Sequence, residues 1–596
     1  MTPMPSFLST FIRGHQIEIV ETYLVFFAVA VSYFFPRLGS ARFAQWEQAI
    51  ARFALRRRLV VILTGMAALV ARAIVLPILP VPVPSIHDEF EYLLMGDTFA
   101  HFRLTNPAHP MGAHLETFHV LQQPTYTGIV PPMQGLLLAA GKLIGGHPFV
   151  GVWLSVGLMC SAICWMLQGW LPPRWALLGG ALVVMRFAVF SYWADTYWGG
   201  PIAAAAGALV LGAFPRITKR LRLFDVLTMG VGLAILANVR PYEGFILSLP
   251  VAVGLLVWMA RRNGPILSES LKRVVLPLAL FMGLTFGAMA YYNWRVTGNP
   301  LHTGYDVNMS TMNPVPYFPW QSVRPIPAYR FKVFRDFYVD FQLPQYQAVR
   351  TVRGFVSVTW SKIKKLSAFY FGAALGFPLL MALFMGGFRN VFLTRLRLLS
   401  VVAGVTLIGL FLEVQYAPHY AAPLTCIFIC FIVQAIRYAR VWGRHRRPIG
   451  LLAMRAVPIL CAVSLVMGAL QVGSGLYITQ DWPHSWYSVH MGNVYRVRLA
   501  DELAQIPGQH LVIVRYEPWH NFHDEWVYNT SDIDGSKVVW ARDMDPKENQ
   551  ELIHYFRDRR VWLLDPDKSR SRLLPYPDAD EPSQSASVEH GSSLPH

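Results

Sequence analysis

Hydrophobic positions in this chain come in long unbroken runs, not in the alternating stripes of soluble strands or the one-sided stripes of soluble helices. The runs fall at 17–36, 59–79, 149–170, 175–193, 201–214, 224–239, 245–259, 274–292, 366–385, 398–412, 421–436 and 451–475. At about 1.5 Å rise per residue, about twenty apolar residues cross the roughly 30 Å hydrocarbon layer of a bilayer. The pattern predicts roughly twelve membrane-spanning helices. A different pattern fills 41–58, where Phe43, Trp46, Ile50 and Phe53 recur at helical spacing among basic residues. That reads as an amphipathic stretch lying on a membrane surface. Three long polar segments remain, at 80–148, 293–365 and 476–596.

The first polar segment predicts two helices. One covers 88–102, with Phe90, Leu93, Leu94 and Phe99 on a single face, and the other covers 132–143, opened by Pro132. A Pro- and His-rich irregular stretch, 104–131, lies between them, an arrangement suited to a membrane surface. The second segment concentrates Pro314, Pro316, Tyr317, Phe318, Pro319 and Trp320, and reads as an ordered lid or rim. The third changes character. It predicts helix 494–504, strand 511–516, strand 537–541, helix 548–556 and strand 561–564. Such alternation points to a small α/β domain with a parallel sheet. No Gly-rich phosphate loop opens either helix, so no nucleotide role follows. From 578 the chain is rich in Ser, Pro and acids, and disorder is expected. The expected organisation is an N-terminal helix with its cytoplasmic amphipathic stretch (1–58), a transmembrane domain (59–475), an α/β domain outside the membrane (476–577) and a disordered tail (578–596). No cleavable signal peptide is expected, because the first apolar run lacks a basic start and a small-residue cleavage site.

Composition agrees. Of 596 residues, 54% are hydrophobic and only 15% charged, against about 25% charged in a soluble protein. The net charge of +17 would suit a nucleic-acid partner, but the basic residues cluster between apolar runs. Put Arg56-Arg57-Arg58 in the cytoplasm and alternate sides. The clusters at 216–222, 261–273, 389–397 and 437–447 then fall in the cytoplasm too, while the opposite turns 194–200, 240–244 and 413–420 are nearly free of Lys and Arg. This is the positive-inside pattern. It argues against nucleic acid and puts all three long polar segments outside. The five cysteines, all within apolar runs, read as small buried hydrophobes.

Candidate chemistry begins at Ser85-Ile86-His87-Asp88-Glu89-Phe90-Glu91-Tyr92, just past an apolar run. Two readings of the acids stand open. Ser85 and Asp88 fit a helix capping box, and acids there suit the helix dipole. Alternatively, a carboxylate at the outer face could meet both a lipid-borne and a water-borne substrate. Other candidates lie in the short outer turns. Arg240 either snorkels to water or binds phosphate. Asp195, among Tyr192, Trp193, Tyr197 and Trp198, suits sugar hydroxyls with the rings as platforms. His419 and Tyr420 occupy a later turn. Arg186 falls inside an apparent span, where an arginine is costly. Glu116 and the loop histidines His101, His109, His114 and His119 invite a metal reading, but their spacing matches no established zinc pattern such as His-Glu-x-x-His.

An apolar span ending at the outer face, followed by Asp88-Glu89 and then Tyr92, resembles the first-loop signature of the GT-C superfamily of membrane glycosyltransferases. The layout from about 57 to 475 is most similar to the branch of the protein O-mannosyltransferases and lipid A aminoarabinose transferases. The C-terminal α/β domain belongs to no branch in particular. The resemblance implies transfer of a sugar from a polyprenyl phosphate to an acceptor on the outer side, with inversion. Asp88 would be the general base, and Glu89 would orient the acceptor or hold a cation. Arg240, His419 and Tyr420 would take the leaving phosphate, the histidine more weakly than an arginine. Tyr92, Asp195, Trp198 and Glu116 would contact substrate. The resemblance fixes no cofactor and leaves metal dependence open, and a divalent cation would fit. The acceptor is left open between protein, glycan and lipid. The implied setting is a bacterial inner membrane, with site and C-terminal domain on the periplasmic side. The rival is a transporter or flippase, which would carry paired interrupted helices and charges near the midplane. The two part on geometry: a transferase needs Asp88, Arg240 and His419 in one outer-facing cavity.

Overall fold

A computed structural model describes residues 16–261, 265–442, 448–474, 486–487, 492–568 and 572–577. The chain folds as a polytopic helical membrane protein with a small C-terminal α/β unit. Every apolar run named above carries a helix. Eight described helices are long and apolar enough to cross a membrane, among them Arg57–Val75, Phe149–Trp170, Gly200–Arg220 and Ile449–Gly473. A further pair, Val352–Tyr370 and Gly372–Phe384, is bent by 105°. Three shorter apolar helices are Met133–Gly145, Leu223–Val239 and Arg397–Leu412.

Two runs end differently from expectation, for local reasons. The run at 175–193 forms only the helix Pro173–Phe187, after which the chain turns through a 3-10 segment, Tyr192–Ala194, whose start is capped by the Ser191 hydroxyl. The run at 421–436 opens as a 3-10 segment, Pro418–Leu424, because Pro418 and Pro423 have no N–H to donate, and becomes an α-helix at Thr425–Ala439. Helix Gly200–Arg220 runs through the centre of the bundle, with Ala203 to Ala206 buried. Beside them, a Cβ on Gly207 would stand 2.2 Å from the Pro423 carbonyl oxygen, so only glycine allows this approach.

The 105° bend explains Arg186. Gly372 has φ +54, and the turn frees backbone groups that lipid cannot satisfy. Arg186 donates to Ala368 O at 3.2 Å, Ala374 N donates to Glu21 Oε1 at 3.3 Å, and Arg186 and Glu21 pair with each other at 3.3 Å. The arginine and glutamate mend a broken backbone.

The first polar segment contains the expected helices, at His87–Ala100 and Met133–Gly145. The stretch between them is more ordered than expected. Asn106–Pro107, Thr125–Gly128 and Val120–Leu121 form a small antiparallel sheet with Thr125–Gly128 in the middle. The C-terminal unit has helix Val494–Gln505 and strands Gln509–Val514, Val538–Arg542 and Arg559–Leu564, all parallel, with Gln509–Val514 in the middle. A three-residue antiparallel edge strand, Leu573–Pro575, is too short to show in the pattern. The tail expected to be disordered, 578–596, lies outside the described residues.

The three long polar segments meet one another at one end of the bundle. Asp97 accepts from Ser531 N (2.9 Å) and Oγ (2.7 Å). Phe90 stacks on Tyr528 with centroids 4.0 Å apart. Arg542 donates to the Glu116 carbonyl at 2.6 Å, and Arg330 pairs with Glu548 at 3.0 Å.

Candidate active site

Helix His87–Ala100 starts without a side-chain cap. Its N-cap residue is Ile86, in an extended conformation. The capping box of Ser85 and Asp88 does not form. Glu89 turns back instead: its Oε2 accepts from Ser85 N (2.9 Å) and Oγ (3.2 Å), and its Oε1 accepts from Tyr197 N (3.1 Å). Glu89 is 2% exposed. One oxygen holds the segment before the helix and the other the turn at 192–199, so the chain itself occupies the carboxylate expected to orient the acceptor or hold a cation. Burial pushes its carboxyl up to about 7, against the opposing pull of the Ser85 and Tyr197 amides.

Asp88 is thereby left free of the backbone. Its side chain is 27% exposed, with Oδ1 2.9 Å from His119 Nδ1 and 3.9 Å from His87 Nδ1. Burial alone would raise its carboxyl, but His119 and then His87 outweigh it and hold Asp88 below the usual carboxylate range. His119 reaches this place with φ 60, the left-handed region, while its carbonyl accepts from Ile129 N at 3.0 Å. Non-glycine residues enter that region at a cost of about 1–2 kcal/mol, and such strain gathers at functional sites. Glu91, 1% exposed, accepts from Ile129 N at 3.2 Å. Burial, then the charge of Asp88, push its carboxyl well above the usual range. The buried His87 packs against Phe118 at 5.0 Å and meets His119 edge-on at 4.6 Å.

Arg240 caps helix Leu223–Val239 just before Pro241 opens the next one. Its guanidinium lies 4.3 Å from the Tyr420 ring centroid and 3.7 Å from Glu243. Its charge also acts on Tyr92, whose hydroxyl burial pushes up and Arg240 pulls back. His419 takes a 3.0 Å hydrogen bond with the Tyr192 hydroxyl, packs on Trp198 at 4.6 Å, and acts electrostatically on Asp88. Arg240, Tyr420 and His419 are joined by ring contacts, His419 to Tyr420 at 5.0 Å, and Asp88 and Tyr92 lie within electrostatic reach of them. Trp198 joins them as a packed neighbour of His419.

Two expected substrate contacts are placed elsewhere. Asp195 is 2% exposed and pairs with Arg72 at 3.2 Å. Arg72 also donates to the Leu79, Pro80 and Ala194 carbonyls. The carboxylate joins two chain segments instead of presenting itself to a sugar. Glu116 faces the C-terminal unit: burial raises its carboxyl while Arg330 and Arg542 pull it down.

The loop histidines scatter. His101 bonds Asp97 O at 2.8 Å, His109 pairs with Asp534 at 3.2 Å, and His114 contacts the Arg542 and Glu548 carbonyls. Only His119 reaches Asp88. With His87 it makes a set of ligand atoms within 4.8 Å of one another. Two imidazoles and a carboxylate suit a divalent transition metal. His87 and Glu91 were given no role by the sequence reading, and His119 only a place among the loop histidines weighed as metal ligands. Sequence gave His119 no signal beyond its place in a histidine-rich loop.

No family profile matches the sequence, and no curated protein matches it. Solved structures do align with it. ArnT from Cupriavidus metallidurans bound to undecaprenyl phosphate is 14% identical, covering 85% of this chain and 93% of that one, with a TM-score of 0.48. The Archaeoglobus fulgidus oligosaccharyltransferase in complex with Zn and sulfate is 11% identical, covering 84% and 67%, with a TM-score of 0.44. AglB from the same organism, with an inhibitory peptide and a dolichol-phosphate, is 10% identical, covering 84% and 69%, with a TM-score of 0.41.

Proposed function

We propose that this chain is a membrane glycosyltransferase that moves a sugar from a polyprenyl-phosphate donor to an acceptor hydroxyl, with inversion. The observation that carries the reading is a partly exposed Asp88 held by His119 at 2.9 Å, within electrostatic reach of His419, with Arg240 and Tyr420 stacked 4.3 Å apart nearby. These charges gather where the long polar segments meet, a poor match to the midplane charges a transporter would use. The basic clusters support placing this end outside the cytoplasm, on the periplasmic side of a bacterial inner membrane.

The chemistry follows from the residues. The acceptor oxygen attacks the anomeric carbon from the face opposite the phosphate, so the configuration inverts. Its proton passes to Asp88, and the bonding pair leaves with the phosphate. His119 keeps Asp88 ionised and aimed. A carboxylate so held is a weak base, so proton transfer has to accompany departure of the phosphate. Arg240 offsets the charge of the leaving phosphate, and the Tyr92 and Tyr420 hydroxyls are its natural donors. Glu89 and Asp195 act as positioning residues, holding the turn at 192–199 against the first polar segment. A divalent cation, where bound, would be held by His87, Asp88 and His119 and would supply positive charge to the phosphate.

The test is transfer by the full-length protein in liposomes carrying polyprenyl-phosphate sugars. Asp88→Asn lowers transfer by about 10²–10⁴-fold while undecaprenyl phosphate binding and thermal unfolding stay as in the parent. Normal transfer by the folded variant overturns the assignment.

A further inference from the structure

The transfer step makes no use of the aromatic rings that the C-terminal unit brings to Asp88. Phe522 and His523 lie between strands Gln509–Val514 and Val538–Arg542. His523 stacks on His87, with ring centroids 5.7 Å apart and 22° between planes. It meets Phe341 of the second polar segment at 5.8 Å, and Phe341 meets Phe522 at 5.1 Å. Phe341 is 40% exposed, and Phe522 and His523 are half-buried. Asp88 Oδ1 lies 3.9 Å from His87 Nδ1, and its charge reaches His523. The three rings make a partly open wall one side chain away from the carboxylate.

The polar groups around them turn inward. His520 pairs with Asp567 at 2.7 Å, and Asn521 Oδ1 accepts from His523 N at 3.1 Å. Asp524 accepts from Asn493 at 2.9 Å, while Glu525 holds Tyr516 and Arg542. What this turn leaves open toward the site is aromatic surface, Phe341 most of all, beside a carboxylate, while Phe337 and His87 back the rings from behind. A pyranose has the same division, with C–H faces bounded by a rim of hydroxyls. An acyl chain would gain nothing from the neighbouring carboxylate and imidazoles. A peptide would need polar partners that the turn has used internally. We infer that Phe341, Phe522 and His523 form the acceptor subsite and that it takes a sugar ring, so the acceptor is a saccharide or carries one. Calling it an acceptor subsite rests on the transferase reading; the sugar-binding wall rests on this geometry alone.

The test is saturation-transfer NMR on the full-length protein in detergent with methyl α-mannopyranoside, methyl β-glucopyranoside and methyl β-galactopyranoside, beside a titration with undecaprenyl phosphate. The expected result is transfer onto the ring C–H protons of at least one glycoside, reduced at least fivefold in the double variant F341L/F522L, which keeps apolar bulk and removes two rings. His523→Leu, altering one ring at the site, gives the same reading should the double variant fail to fold. No transfer from any glycoside, or equal transfer in the ring variants, overturns the inference, as does displacement of a bound glycoside by a Ser/Thr-rich peptide. Undecaprenyl phosphate binding without glycoside contact removes the subsite and leaves the transferase reading standing. Ring-dependent glycoside contact without undecaprenyl phosphate binding does the reverse.

Discussion

Asp195 and Asp88 lie at the same end of the bundle, each beside a basic side chain, at 3.2 Å from Arg72 and 2.9 Å from His119. Their surroundings differ. The Arg72 pair is about 1% exposed, and the remaining N–H groups of the arginine go to backbone carbonyls. Glu21 and Arg186 follow the same rule at the 105° bend. Asp88 keeps 27% of its side chain exposed, and its partners are imidazoles instead of backbone groups. A buried charge pair spent on backbone groups is part of the scaffold. A half-open carboxylate whose partners leave it accessible is equipped to receive a proton.

The largest expected effect separates these two kinds of acid directly. Asp88→Asn lowers transfer by about 10²–10⁴-fold, the usual worth of a positioned base, and leaves the unfolding temperature unchanged. Asp195→Asn does the opposite. It strands a buried arginine and destabilises the fold by about 3–5 kcal/mol, while the protein that remains folded still binds undecaprenyl phosphate. Thermal unfolding and transfer measured on both variants check the contrast; equal behaviour of the two would erase it.

Next in size is the pH dependence carried by Glu89. Its carboxyl is raised to about 7 in the fold, against about 4.3 in an unfolded chain. Between these values the native state holds a proton that the unfolded state has released. Stability therefore falls as pH rises from about 4.3 to about 7 and is level above, a total of up to about 4 kcal/mol. Glu89→Gln removes most of that slope, as unfolding curves in detergent between pH 5 and pH 8 would register.

Arg240→Gln comes third. On the proposed mechanism it removes the charge set against the leaving phosphate, and undecaprenyl phosphate binding weakens by roughly 10- to 100-fold, the worth of a hydrogen bond to a charged group. The readout is a lipid-phosphate titration. Unchanged binding would detach Arg240 from the donor.

The periodic parts of this chain were legible because the period itself is the signal. Phe149–Trp170 forms at the residues its apolar run marks, and the parallel sheet follows from strands alternating with helices. The site was legible only in outline. Three acids within four residues at 88–91 leave open which of them turns back on the chain, and Glu89 takes Ser85 because its longer side chain also reaches Tyr197 N. Asp195 read as a sugar ligand because its partner, Arg72, lies in a distant helix that reads as ordinary apolar span. His119 was hidden for a different reason: it meets Asp88 only through a left-handed backbone, and no pattern of residue types announces that in a histidine.

That backbone gives the smallest prediction and the sharpest use of the comparison. At φ 60 an alanine pays the full left-handed penalty, whereas asparagine tolerates the region and glycine enters it freely. His119→Ala, His119→Asn and His119→Gly all remove the imidazole from Asp88, so all three should lose transfer to a similar degree. Their stabilities should separate, with Ala lowest by about 1 kcal/mol. Equal unfolding temperatures across the three would mean that the strain is not borne at this residue. Transfer that instead tracked stability would mean that His119 serves the loop and not the carboxylate, and Asp88 would then lose the partner that distinguishes it from Asp195.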